Sequence, residues 1–304
     1  MDSSPIPPDH RGRSLTADWS PRAIGNIVKT AVLLVFLAVM LALAGNVVAG
    51  RAGTLVGLLL GIWLIAGCWW LSDRIAIKAA RARALHPSQA PELHSLVADL
   101  AHRAGLPCPK LYLSPSPQPN AFAVGRSPRH AVVAVTQGLI ELMPPDEVAG
   151  VVAHELGHVI DRDTLLTSVA AALVTGLCAM VTFASFGTLS VSTADDEQSA
   201  PLGVFALLLV APLGASVLQL TLSRSREYAA DNTAVQLLGG HGEHITRALL
   251  RIEAHAQAQP MAIGPGVAQA WTVDPVVGHS GLARLFSTHP PVADRLGRLR
   301  DSSD

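Results

Sequence analysis

Charge is scarce in this chain. Lys, Arg, Asp and Glu together make up 15% of its 304 residues, half of the residues are apolar, and the mean hydropathy is +0.38. So little charge on so apolar a chain excludes an ordinary soluble enzyme. Cysteine is scarce as well: Cys68, Cys108 and Cys178 are scattered, with no C-x-x-C spacing. That excludes a disulfide framework and a thiolate zinc site, and Cys68 and Cys178, inside apolar runs, read as small packing residues. The formal net charge of -1 carries no message about partners, nucleic acid is not expected as one, and no internal repeat is evident.

Long uncharged apolar sequence is what the chain has in excess. Residues 30–50, 52–72, 164–194 and 198–223 contain no Asp, Glu, Lys or Arg. Each is long enough to cross a hydrocarbon core of roughly 30 Å, and they pair as two hairpins. The first run is too long, and too soon followed by a second, for a cleaved signal peptide. Arg11, Arg13, Arg22 and Lys29 precede the first run, Arg74, Lys78, Arg81 and Arg83 follow the second, and the turn between holds only Arg51. The second hairpin turns at Asp195, Asp196 and Glu197 and is followed by Arg224 and Arg226. Both hairpins therefore open toward the cytoplasm, which predicts a multi-pass protein of the cell membrane, with the bilayer as partner and its polar blocks in the cytosol.

These runs divide the chain into a Pro-rich, disordered segment 1–22, hairpin 23–73, polar block 74–163, hairpin 164–223 and polar block 224–304. The expected fold class is α+β, mainly helical. In the first block the apolar spacing of Leu93, Leu96, Val97, Leu100 and Ala101 predicts a helix over 91–104. Extended segments follow at 110–113, 121–124 and 130–136, separated by Pro, Gly and Ser. In the second block helices are expected from 223 to about 238 and over 244–258, broken at Gly239-Gly240, and a short one ends near Arg300. The Pro- and Gly-rich stretch 262–281 has two readings, a flap over a cleft or a plain loop.

The chemistry sits at the end of the first block, in His154-Glu155-Leu156-Gly157-His158. Pro144-Pro145-Asp146-Glu147 suits a helix start, and Val148, Val151, Val152 and Leu156 continue it at helical spacing. Residues four apart stack on one helix face, so His154 and His158 can reach one metal ion while Glu155 stands beside it as a base. Two histidines leave a catalytic zinc one protein ligand short, and Glu227, just past the fourth apolar run, is the best candidate. Asp231, four residues on, is placed to accept the second ring N–H of a ligand histidine. A second H-x-x-H, His241 and His244, lies among Gly239, Gly240 and Gly242 and reads as an exposed turn.

Four ordered segments carry a resemblance: Pro119-Asn120-Ala121-Phe122-Ala123-Val124-Gly125, the His154–His158 pentapeptide, Ser223-Arg224-Ser225-Arg226-Glu227-Tyr228-Ala229-Ala230-Asp231, and Ser287-Thr288-His289-Pro290-Pro291. With the four-span layout, they resemble the HtpX-type membrane zinc metallopeptidases, relatives of the CAAX prenyl endopeptidases, over roughly residues 30–300. The resemblance implies a gluzincin-like fold and an inner-membrane endopeptidase that removes damaged or misassembled proteins, with one Zn2+ per chain. It implies His154, His158 and Glu227 as zinc ligands, Glu155 as general base and Asp231 as the group orienting a ligand histidine. It also implies Asn120 as a contact to a substrate backbone lying along an edge strand, and His289 as a donor to the oxyanion. A turn histidine is the other reading of His289, and packing or interface anchoring the other reading of Tyr228 and Arg226.

Three rivals stand beside this reading. A CAAX-type prenyl protease is disfavoured by four spans instead of the larger number of that group. A catalytically inactive scaffold or chaperone has no need of Glu155. A transporter usually places ionisable groups at mid-membrane, where these runs have none.

Overall fold

The computed structural model describes residues 21–167, 224–258 and 290–301. Residues 1–20 of the expected disordered segment 1–22, nearly all of the expected second hairpin, the stretch 262–281 and His289 lie outside the described residues, whereas Pro21 and Arg22 already belong to a helix.

Helix α1, Pro21–Ala79, is helical residue by residue, yet it is not one rod. Gly50 has φ +57, a left-handed conformation open to glycine at little cost. Gly57 lies against the backbone of Leu41 and Ala42, and a Cβ on Gly61 would stand 3.0 Å from the Cα of Ala38. In a straight helix residues 41 and 57 would be about 24 Å apart. The chain therefore doubles back, and its two arms, Pro21–Leu43 and Gly50–Leu71, are each long and apolar enough to cross a membrane. Most of the exposed large apolar side chains among the described residues belong to these arms, including Val32, Val35, Phe36, Leu55, Val56, Leu59, Trp63 and Trp70.

The rest of the described chain is mainly helical with a small sheet. Strands β1 (Arg83–Ala84), β2 (Lys110–Ser114), β3 (Ala121–Val124) and β4 (Val132–Thr136) lie in the order β1-β2-β4-β3. β2 and β4 are parallel, and β3 runs antiparallel to β4 with Ala121 opposite Val135 and Ala123 opposite Val133. Alternation sends these four side chains into the main core, while Phe122, Val124, Val132 and Ala134 face the end of α1 at Ala76 and Ala80. A sheet apolar on both faces and covered on both explains why β3 and β4 read as unbroken apolar runs. The strand expected over 130–136 starts only at Val132, because Pro128–His130 forms a 3-10 turn.

Helix α2 (Pro91–Arg103) and the short α3 (Gln137–Leu142) flank the central α4 (Pro145–Ile160). Beyond residue 223 come α5 (Arg224–Leu237), α6 (Gly242–Ala258) and α7 (Val292–Asp301). α4 packs against α2, α5, α6 and β3, and Val151, Val152, Ala153 and Leu156 are fully buried. Burying a Val or Leu side chain contributes roughly 1.5–3 kcal/mol, so this helix is fixed mainly by its apolar face. Two glycines seven residues apart let its neighbours close in. A Cβ on Gly150 would lie 2.8 Å from the backbone N of Ile245 in α6, and one on Gly157 would lie 3.0 Å from the Cα of Ala230 in α5. The first turn of α4 is tied to α6 by Glu147, which receives Arg251 Nε at 2.6 Å and NH2 at 3.0 Å.

Candidate metal centre

The close approach at Gly157 sets α5 against the last turns of α4, and this brings Glu227 to the two histidines. His154 Nε2 and His158 Nε2 are 3.2 Å apart, and the Glu227 carboxylate reaches each at 3.6 Å. Tetrahedral coordination at the usual zinc bond lengths spaces ligand atoms about 3.3 Å apart, so the three side chains have the spacing of one metal's ligands. They form a group that could hold a metal ion, with all donor atoms within 4.8 Å of one another. His154 is fully buried, Glu227 is buried, and His158 is partly accessible.

Each ring is held from behind. His154 Nδ1 is 2.9 Å from Asp231 Oδ1, and His158 Nδ1 is 3.0 Å from Asp163 Oδ2. A carboxylate at Nδ1 fixes the neutral ring with its proton there, which leaves both Nε2 lone pairs facing the centre. Two lone pairs at that separation repel unless a cation or a proton stands between them. The charges agree. Four carboxylates, Glu155, Glu227, Asp231 and Asp163, face two guanidinium groups, Arg295 and Arg226, so the cluster lacks two positive charges. A divalent cation supplies both. Without it His158 takes up a proton: burial alone would lower its pKa, but the carboxylates of Glu227, Asp163 and Glu155 push it up to about 9. His154 is raised as well, since Asp231 and Glu227 outweigh burial and Arg295.

Arg295 and Asp163 are the parts of this centre that sequence reasoning missed. Arg295 comes from α7 and is 1% exposed. Its Nε and NH2 meet the two oxygens of Asp231 at 2.9 and 2.6 Å, and NH2 also stands 3.3 Å from His154 Nδ1. Burial would raise the Asp231 pKa, but Arg295 and His154 hold it at about 2. Asp163 reaches back because Arg162, at φ 60, turns the chain sharply out of α4. A sequence signal existed for Arg295, an arginine on the helix that opens after Pro290-Pro291, but nothing local tied it to Asp231.

The remaining expected site residues divide. Glu155 is buried on α4 next to His154, and its charge acts on His158 and Arg295. Asn120 is expected as a contact to a substrate backbone. It is fully buried, its Oδ1 accepts the N–H of Ala121 at 3.0 Å, and its own N–H goes to Thr136 Oγ1 at 2.9 Å. It closes the start of β3 because the first N–H of an edge strand needs an acceptor. Arg226 NH1 is 3.5 Å from Asp163 Oδ1, whereas Tyr228 lies under Arg298 with the guanidinium carbon 4.0 Å from its ring centroid. His241 and His244 flank the start of α6 after Gly239 and Gly240, both at positive φ, and His244 Nδ1 is engaged by Asp146 at 3.0 Å.

A His-Glu-x-x-His helix whose two imidazoles meet a glutamate from a later helix is the layout of a metal-dependent hydrolase. The family comparison agrees: peptidase family M48 matches residues 87–303, and the chain belongs to that family. It is similar to a protease HtpX homolog of Desulfatibacillum aliphaticivorans, 40% identical over 279 residues covering 91% of this chain and 89% of the relative. It is 42% identical to one of Acaryochloris marina over 283 residues, 90% of this chain and 94% of that protein. One of Pyrococcus abyssi is 39% identical over 280 residues, 91% of this chain and 96% of that protein. Among solved structures, the crystal structure of S. mikatae Ste24p has a similar fold, with TM-score 0.51 and 19% identity, over 92% of this chain and 66% of that one.

Proposed function

We propose that this protein is a zinc metalloendopeptidase of the cell membrane, anchored by hairpins 23–73 and 164–223, whose catalytic domain is assembled at the cytosolic face from residues 74–163 and 224–304. The observation that carries the reading is the convergence of His154 Nε2, His158 Nε2 and the Glu227 carboxylate, with Asp231 and Asp163 behind the rings. The apolar arms of α1 and the basic residues flanking them support the membrane placement and orientation. The substrates are unfolded or damaged proteins, membrane proteins among them, cut outside the bilayer because the ligands fall outside the apolar runs.

In this reading His154, His158 and Glu227 hold Zn2+, and two imidazoles with a carboxylate favour zinc among divalent ions. Bound there, zinc supplies Lewis acidity to a water and to the scissile carbonyl. Glu155 takes the proton of the attacking water and returns it to the leaving amine as the C–N bond breaks, so one water is consumed and two chain ends result. Asp231 and Asp163 keep the ligand rings in one tautomer, and Arg295 keeps Asp231 ionised. His289 donates to the oxyanion, and Asn120 takes part in substrate binding by shaping the start of the edge strand β3.

Metal content and cleavage, measured together, test the assignment. Glu227→Ala loses zinc and activity together, whereas Glu155→Gln keeps about one zinc per chain and loses activity. Full zinc and full activity in Glu227→Ala would remove it from the ligand set.

A further inference from the structure

A chain of hydrogen bonds joins the first apolar arm of α1 to the metal centre. Asn26 sits in the first arm of α1, on a stripe with Ala23, Thr30, Leu33 and Leu34 that is buried while the opposite face is exposed. Its amide donates twice, to Asp163 Oδ1 at 2.6 Å and to the carbonyl of Asp161 at 2.9 Å. Asp163 Oδ2 in turn holds His158 Nδ1 at 3.0 Å. One turn before Asn26, Arg22 NH1 lies 3.8 Å from the Asp161 carboxylate, on the same face. A buried asparagine at the edge of an apolar arm is costly unless both amide hydrogens are used. Here they are, one on the C-cap carbonyl of α4 and one on the carboxylate that orients a ligand histidine.

We propose that Asn26 is a positioning residue for the metal centre. Resting on the metal reading above, it fixes the Asp163 carboxylate and so the ring of His158, which makes the first membrane arm part of the metal site. The anchor and the centre are then one unit. A shift of the arm in the membrane reaches His158 through two hydrogen bonds, Asn26 to Asp163 and Asp163 to His158.

The test uses the full chain in detergent, with zinc affinity from chelator competition and the visible spectrum of the cobalt-substituted protein as readouts. Asn26→Leu keeps the approximate volume and removes both donors. It lowers zinc affinity about tenfold, the low end of what outer-shell partners of a ligand contribute, and shifts the cobalt bands. In an Asp163→Asn background the same substitution changes affinity less than about twofold, because the link is already cut. Leu33→Ala, which loosens the same arm without touching the link, lowers thermal stability and leaves the cobalt spectrum unchanged. If Asn26→Leu fails to fold, Asn26→Ser takes its place with a shift in the same direction. A cobalt spectrum and zinc affinity equal to wild type, or an undiminished effect in the Asp163→Asn background, overturns the proposal. Wild type that binds no metal overturns the metal reading and this proposal with it, whereas zinc-binding wild type matched by the variant overturns this proposal alone.

Discussion

Replacing Arg295 with Met strikes the centre where its electrostatics are least forgiving. The guanidinium is 1% exposed and meets both oxygens of Asp231, so among the described residues the substitution leaves a buried carboxylate with the His154 ring as its remaining partner. The present balance can be read from Asp231 itself, held at about 2 against an ordinary 3.8 although burial acts the other way. That gap corresponds to on the order of 2 kcal/mol of net stabilisation of the ionised form. Removing the partner forfeits it and exposes the burial cost as well, and breaking a buried pair on one side typically costs about 3–5 kcal/mol. In a thermal melt followed by circular dichroism, this is a fall on the order of 10 °C. The sign with pH is fixed too. A depressed carboxylate pKa stabilises above 3.8 and loses that contribution as pH falls through 2, so the wild type is acid-sensitive in that window and Arg295→Met is much less so. The double variant Asp231→Asn with Arg295→Met melts above Arg295→Met alone, because no charge is then stranded. A single variant melting within 2 °C of wild type would refute the reasoning.

Gly157→Ala pushes a methyl group to within 3.0 Å of the Ala230 Cα, and α5 must move by a few tenths of an ångström, carrying Glu227 with it. Zinc affinity falls while the fold persists, and Gly157→Val loses zinc altogether; chelator competition on both variants decides, and unchanged affinity in Gly157→Val contradicts the packing. In the metal-free protein His158, at about 9 against an ordinary 6.5, contributes stability that is complete below 6.5 and is lost as pH rises through 9. Zinc must displace that proton, so its affinity rises over the same interval, and calorimetry in buffers of different ionisation enthalpy at pH 7.5 finds about one proton released per zinc. Zinc binding without proton release contradicts this.

What was legible in the sequence was local. The spacing of His154 and His158 forces one helix face, and Pro145 with Asp146 and Glu147 marks its start, so α4 could be read residue by residue. The strands β2 and β3 stood out between Pro, Gly and Ser, and the reversal of α1 was visible as the lone Arg51 between two uncharged runs. Shorter or contact-made features were not legible. β1 has two residues and exists only by pairing with β2. α3 follows β4 without a break, because Thr136 ends the strand and its Oγ1 accepts the N–H of Leu139 at 3.1 Å as the helix cap. Asp163 depends on a left-handed turn at Arg162, and Arg295 meets its partner 64 residues away in sequence. Such pairings are set by packing of α4, α5 and α7, which no periodicity reports. Asn120 came only from the resemblance of its segment, and the hydrogen bonds that bury it could not be read.

The central claim is metal-assisted peptide hydrolysis, and the most direct measurement is cleavage of an unfolded protein by the detergent-solubilised full chain, stripped with chelator and reloaded with zinc, for wild type beside Glu155→Gln. Only zinc-loaded wild type cuts, chelator stops it, and Glu155→Gln stays inert with its zinc in place. Equal cleavage by both proteins, or cleavage by wild type that survives complete removal of the metal, would contradict the claim.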